Sequence, residues 1–226
     1  MAAPQKVKLK FYVDTNAEKV LFAEADKYFI DFLIYLLSLP LGTVAKLLKG
    51  IDMIGCFGSL YESLEQLNET YLQPNQTKNS LLNPKPPVYT TEVPLLLSSL
   101  QLTSRASYRC QSHNYTADVP NLFCPLCKTK MANTMTYVAP STTNTGYVTG
   151  GFVKNCVIYL LLDNFEFTSM SAEIVFALLN DFKVKNVSTL EKIDVELGVE
   201  EALMLLKLSF ESKTVLTSFY FENKKA

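Results

Sequence analysis

The sequence predicts an α+β protein made of two similar strand-strand-helix-helix halves, an internal repeat, with a zinc-ribbon-like insert between them. Three observations lead there. The same order of elements occurs near both ends of the chain. Proline-rich and polar tracts fence off the middle. The middle itself carries Cys110, His113, Cys124 and Cys127 in paired spacing.

The first half is assigned to residues 1–72. VKLKFYV (7–13) alternates apolar and polar residues, which marks a half-buried strand. A turn follows at Asp14-Thr15-Asn16, and KVLFAEA (19–25) is the returning strand. Phe29, Phe32, Leu33, Leu36 and Leu37 then recur at helical spacing behind Asp26, a residue type suited to an N-cap. LPLGTVAKLLKG acts as a linker, and a second helix runs from about Gly58 to Leu67.

The second half, 152–226, repeats that order. VIYLLLD (157–163) and FEFTSMS (165–171) flank a turn at Asp163-Asn164. Ile174, Val175, Leu178 and Leu179 form one helical stripe, with Glu173 in the first turn. VSTLEKIDVELG is a linker, a helix spans about Val199 to Phe210, and TVLTSFYF (214–221) closes the chain as a strand. A helix with one apolar stripe must bury it on another layer, so helices are expected to cover one face of a sheet in each half.

Between the halves, residues 73–138 form a proline-rich and Cys/His segment, with prolines at 74, 84, 86, 87 and 94. Such density favours extended backbone. APSTTNTGYVTGG (139–151) is a flexible linker by composition.

The insert's spacing is Cys110-x2-His113-x10-Cys124-x2-Cys127. A two-residue gap lets two side chains turn onto one ion, and tetrahedral zinc accepts two such pairs through thiolate sulfur and imidazole nitrogen. Pro125 fixes one backbone angle in CPLCK, whose N–H groups can point at the cysteine sulfurs. Four protein ligands leave no open position for water, so the zinc is structural, supplying folding energy to a segment too short to bury a core. Three other readings stay open: a redox Cys-x-x-Cys, a thiol nucleophile activated by His113, and unliganded cysteines in a degenerate site. Cys56 and Cys156, in MIGCFG and VKNCVIYL, are expected as small buried hydrophobes.

Composition narrows the function classes. Hydrophobic residues make up 48 %, with 14 Phe and 12 Tyr, as in a packed globule. The formal net charge of −1 supplies no field for nucleic acid or an anionic membrane. Arg105, Arg109, Lys128 and Lys130 flank the Cys/His site, which is too thin a basic patch to change that. Ile30–Leu41 is the longest apolar run; it is short of the roughly 20 residues a membrane span needs and carries Asp31 and Pro40. With no apolar stretch at the start resembling a signal peptide, the expected compartment is the cytoplasm, with nuclear access, and the sequons at Asn68, Asn75, Asn114 and Asn186 carry no weight. No dinucleotide, Walker A or nucleophile-elbow motif occurs, and the only histidine is committed to metal. Glu24, Asp26 and Asp31 cluster near the first helix and are expected to serve as cap and solvated face rather than as an acid–base site.

The runs VDTNAEKVLFAEADKYFIDFLIYLLSLPLGTVAKLL, IGCFGSLYESLEQL and GVEEALMLLKLSFESKTVLTSFY resemble the plant family catalogued as domain of unknown function 674, over about Lys6 to Phe221. The LPLGT box at 39–43 and the VEEALMLLK–SKTVLT run are its most specific parts. The resemblance implies a land-plant, intracellular protein and brings no reaction, cofactor or catalytic residue. It implies a cysteine-rich segment ending in Cys-x-Cys or Cys-x-x-Cys, and so covers Cys124 and Cys127 but not His113 as ligands. The functional expectation is a non-enzymatic interaction or scaffold protein with a protein partner. The alternative is a small-molecule-binding protein, or a recruited enzyme of specialised metabolism, using a pocket between the halves.

Overall fold

The computed structural model describes residues 6–49, 51, 56–72, 78–84, 96, 107–135, 151–155, 157–184 and 187–224. Most of the proline-rich tract, residues 139–150 of the polar linker, and Cys156 lie outside the described residues.

The chain starts as expected. β1 (Val7–Asp14) and β2 (Lys19–Ala25) form an antiparallel hairpin. The Asp14 carboxylate accepts the backbone N–H groups of Asn16 (3.0 Å) and Ala17 (3.1 Å), which fixes the turn. α1 (Lys27–Leu36) begins at Asp26, whose side chain accepts the Phe29 N–H at 3.0 Å. α2 (Leu41–Leu47) follows, bent by 116° from α1. α3 (Phe57–Gln66) and the short α4 (Lys78–Leu82) pack beside it. The small strands β3 (Ser107–Arg109), β4 (Thr116–Ala117), β5 (Leu122–Phe123), β6 (Lys130–Met131) and β7 (Asn133–Met135) make up the Cys/His region. β8 (Tyr159–Leu162) and β9 (Phe167–Ser169) form the second hairpin, followed by α5 (Ala172–Asp181). The chain ends with β10 (Leu190–Leu197), α6 (Val199–Glu211) and α7 (Val215–Asn223).

Both hairpins belong to one five-stranded antiparallel sheet of order β10-β1-β2-β8-β9. The join is β2 with β8, where Phe22 faces Leu162 and Ala25 faces Tyr159. Strand alternation sends Val7, Leu9, Phe11, Val13, Ala23, Ala25 and Leu161 to one face, where they pack with Phe29, Phe32, Leu205, Leu216 and Phe219 of α1, α6 and α7. The opposite face carries Phe22 and Leu160, against which α5 sets Ile174, Val175, Leu178 and Leu179. Helices therefore cover both faces. The expectation of one covered face per half is corrected, because in the second half α5 lies on the side of the sheet opposite α6 and α7.

Two further expectations are corrected. The segment assigned as the second linker contains β10, paired along β1 from Val7↔Leu197 to Asp14↔Leu190. Its inward residues Ile193, Val195 and Leu197 alternate with Lys192, Asp194 and Glu196. The expected closing strand 214–221 is instead helix α7. Its start is held from the β8–β9 turn: the Asp163 carbonyl accepts the Val215 N–H (2.8 Å), and the buried Asp163 carboxylate accepts the Thr217 N–H (2.8 Å) and hydroxyl (2.7 Å). That remote cap outweighs the strand preference of the β-branched and aromatic residues in VLTSFYF.

The first linker, which opens with the LPLGT box, is corrected as well, because LPLGTVAKLLKG contains helix α2 from Leu41 to Leu47. Pro40 precedes the first residue of α2, and the Thr43 hydroxyl donates to the Pro84 carbonyl at 2.8 Å. A Cβ on Gly42 would sit 3.0 Å from Pro84 Cγ, so glycine allows the chain beyond α4 to lie close against α2. Tyr61 donates to the Leu82 carbonyl at 3.0 Å from the α3 side. The box thus docks the first described part of the middle segment onto the helices.

Asp31 corrects the solvated-face expectation. It is buried and ion-pairs with buried Lys27, one helical turn away. Its other oxygen accepts the backbone N–H groups of Phe152 (2.7 Å) and Val153 (3.0 Å). Gly151, at φ +102°, passes over the pair where any side chain would collide with it. The entry to β8 is thereby fastened to α1. Cys56 is exposed just before α3, against the expectation of burial.

Candidate metal centre

The Cys/His region builds its site from two tight loops. β3 pairs with β4 and β7, and β5 pairs with β6, all antiparallel. Cys110 follows β3 directly, and its N–H donates to the Tyr115 carbonyl (3.1 Å), closing the loop that carries His113. The second loop starts at Cys124, after β5. The Cys124 N–H donates to the Thr129 carbonyl (2.9 Å), and the Lys128 N–H donates to the Cys124 carbonyl (3.0 Å). Lys128 takes the left-handed conformation (φ +58°) that turns the chain into β6. Cys110, Cys124 and Met131 form a small buried core of their own, with Tyr108, Ala117 and Cys127 against it.

The structure brings together all four expected side chains. One ligand atom from each of Cys110, His113, Cys124 and Cys127 lies within 4.8 Å of every other. Cys110 Sγ is 3.5 Å from Cys127 Sγ, and His113 Nδ1 is 3.8 Å from Cys110 Sγ and 3.6 Å from Cys124 Sγ. Tetrahedral bonds of about 2.3 Å to sulfur and about 2.0 Å to nitrogen would separate two sulfurs by about 3.8 Å and sulfur from nitrogen by about 3.5 Å. The cluster thus has nearly the dimensions of a tetrahedral site with three sulfur ligands and one nitrogen. A disulfide needs sulfurs about 2.05 Å apart, and these cysteines are free.

Hydrogen bonds also prepare the sulfurs. The Ser112 N–H points at Cys110, the Leu126 and Cys127 N–H groups at Cys124, and the Thr129 N–H at Cys127. Donors aimed at sulfur stabilise thiolate charge, as a metal ligand requires. The Thr129 hydroxyl, then its N–H, holds the Cys127 thiol down at about 6. The Ser112 N–H lowers Cys110, whereas burial pushes Cys124 up. Bonds to Cys110 and then Cys127 raise His113. These four groups are close enough to hold a metal ion. Thr129 belongs to the same arrangement and was missed from the sequence; its position two residues after the second knuckle cysteine was the available signal.

The acids near α1 assemble no comparable centre. Asp26 caps the helix and Asp31 is consumed by Lys27 and two backbone donors. Glu24 lies on the other face of the sheet, bonded to the Tyr12 hydroxyl and to Lys10 (3.1 Å). Burial opposes its ionisation, but these two donors prevail and its carboxyl sits below the usual range.

A second concavity, of about 350 Å³, lies where α1, α2, the β8–β9 turn and α6 meet. Leu33, Leu37, Val44, Phe165, Leu206 and Phe210 wall it, and Ser209, the one polar side chain among its described lining residues, donates its hydroxyl to the Leu206 carbonyl. Leu37 is 88 % exposed and Phe210 55 %, so the apolar surface continues past the rim. No helix among the described residues is long and apolar enough to cross a membrane.

Comparison with the curated proteins and with the solved structures gave no match. The family model described as protein of unknown function (DUF674) matches residues 3–226, nearly the whole chain, and the protein belongs to that family.

Proposed function

We propose that this is an intracellular, non-enzymatic interaction or scaffold protein whose middle segment, 73–138, is clipped by a structural zinc ion on Cys110, His113, Cys124 and Cys127. The observation that carries the metal assignment is the convergence of the four ligand atoms, all within 4.8 Å of one another. Three sulfurs and one imidazole nitrogen match zinc's borderline-soft character and leave it no open position. The zinc would contribute folding energy to strands of two or three residues that bury almost nothing else. The two halves, 1–72 and 152–226, are read as copies of one strand-strand-helix-helix unit, with 139–151 as their linker. Their shared element order supports this, and the opposite placement of α1 and α5 marks where the copies have diverged.

The interaction role rests on the apolar surface around the groove, where Leu37, Phe210 and Phe167 stand exposed without convergent polar groups. A protein partner suits such a surface. The groove's volume favours a second reading, binding of a small apolar molecule, since about 300 Å³ is the lower bound of ligand pockets. Metal analysis of the purified full chain tests the clip. One zinc per chain is expected, lost in Cys124→Ser and Cys127→Ser; wild type without zinc ends the assignment. Native mass spectrometry separates the other two: a retained organic molecule lost in Leu206→Trp selects the ligand reading.

A further inference from the structure

The hydroxyl of Thr129 lies 2.9 Å from Cys127 Sγ and 3.9 Å from Cys110 Sγ. The same residue points its N–H at Cys127 and accepts the Cys124 N–H at 2.9 Å through its carbonyl. Thr129 therefore touches all three sulfur ligands or their backbones. It is also the only side chain besides the four ligands that is hydrogen-bonded to a site sulfur among the described residues. Cys124 is fully buried and Cys110 nearly so, but Cys127 is only half-buried. The sulfur most open to water is the one that the hydroxyl approaches most closely.

We propose that Thr129 is a positioning residue of the metal centre, whose hydroxyl donates to the Cys127 thiolate and fixes both its direction and its electron density. The proposal rests on the metal-binding reading above. A metal-bound thiolate has no proton to give, so the hydroxyl must be the donor. Because Thr129 is exposed, water competes for that hydroxyl. The two backbone bonds on either side of it hold it in place. Outer partners of this kind commonly alter metal affinity by about 10- to 100-fold. A donor on a thiolate also lowers the energy of the sulfur electrons, which moves any sulfur-to-metal charge-transfer band to higher energy.

The test uses the full chain with Co2+ as the probe and Zn2+ in competition, comparing wild type, Thr129→Val and Thr129→Ser. Valine keeps the shape and removes the hydroxyl; serine retains it. Expected for Thr129→Val are an affinity about tenfold weaker or more, and a charge-transfer band moved to lower energy with the ligand-field bands unchanged. Thr129→Ser should match wild type in both. Thr129→Val indistinguishable from wild type overturns the proposal. So does weakened affinity with an unmoved charge-transfer band, since that is the result of a purely structural role. Wild type that binds no cobalt removes the metal centre itself, and that failure is seen before any variant is compared.

Discussion

Replacing Asp31 by alanine removes the acceptor that joins α1 to the entry of β8. Three donors lose their partner at once: the Lys27 ammonium, 5 % exposed, and the N–H groups of Phe152 and Val153, held at 2.7 and 3.0 Å. Breaking a buried ion pair from one side costs about 3–5 kcal/mol, because the remaining charge is stranded. The two amides would each add about 1 kcal/mol if they stayed buried, but the chain at Gly151 can move to reach water. We expect a loss of about 4 kcal/mol. Lys27→Met should cost less, about 1–2 kcal/mol, because Asp31 keeps both backbone donors. Asp31→Asn should fall between, retaining an acceptor for the amides while still stranding Lys27. Urea denaturation of the purified full chain, followed by far-ultraviolet circular dichroism, reads the difference. With a slope of about 2.5 kcal/mol per molar, the Asp31→Ala midpoint should drop by about 1.6 M. A drop equivalent to under about 1 kcal/mol, or Lys27→Met costing as much as Asp31→Ala, would refute the reasoning.

Three other outcomes follow from the same contacts. Asp163→Ala should cost about 2 kcal/mol and speed amide exchange first in the opening turn of α7, because it removes both bonds to Thr217; unchanged exchange at 215–218 counts against the remote cap. Thr43→Val should cost about 1 kcal/mol through the lost bond to the Pro84 carbonyl, with new protease sensitivity near residue 84; equal digestion of the two proteins would deny that this bond holds the segment down. Burial, then the bond to Glu24 and its charge, pushes the Tyr12 phenol up to about 12. A raised folded pKa means that this stability is complete below the ordinary tyrosine value of about 10 and is lost as pH climbs through about 12. The wild-type minus Tyr12→Phe absorbance titration should therefore show its step near the upper value, and a step near the ordinary value would mean that Glu24 does not hold the phenol.

What could be read from the sequence was local. β1, α1 and α6 announce themselves because each has one face in the core and a repeating pattern that says so. The convergence of Cys110, His113, Cys124 and Cys127 was legible for a related reason: two short loops bring these side chains together, and their spacing encodes the turn. β10 was missed although IDVEL alternates, because its outward residues are charged and drew attention to solvent. In the fold those charges face β1, where Glu196 meets Lys6 and Lys8, and Lys192 lies over the Tyr12 ring. α7 was missed because what starts it is Asp163, more than fifty positions earlier in the chain, and no local pattern records that. The burial of Asp31 has the same origin, since its partners at 152 and 153 arrive from the far side of the middle segment. These contacts decide how the two hairpins meet. Once β2 pairs with β8, the inward faces of both strands are fixed together, and a helix can cover either side of the resulting sheet. The first hairpin's helix carries Phe29 and Phe32 to the face shared with α6 and α7. The second hairpin's helix is left with the face holding Phe22 and Leu160. This antiparallel sheet carries apolar residues on both faces, so each face takes a helix, and two segments alike in sequence order end up on opposite sides of it.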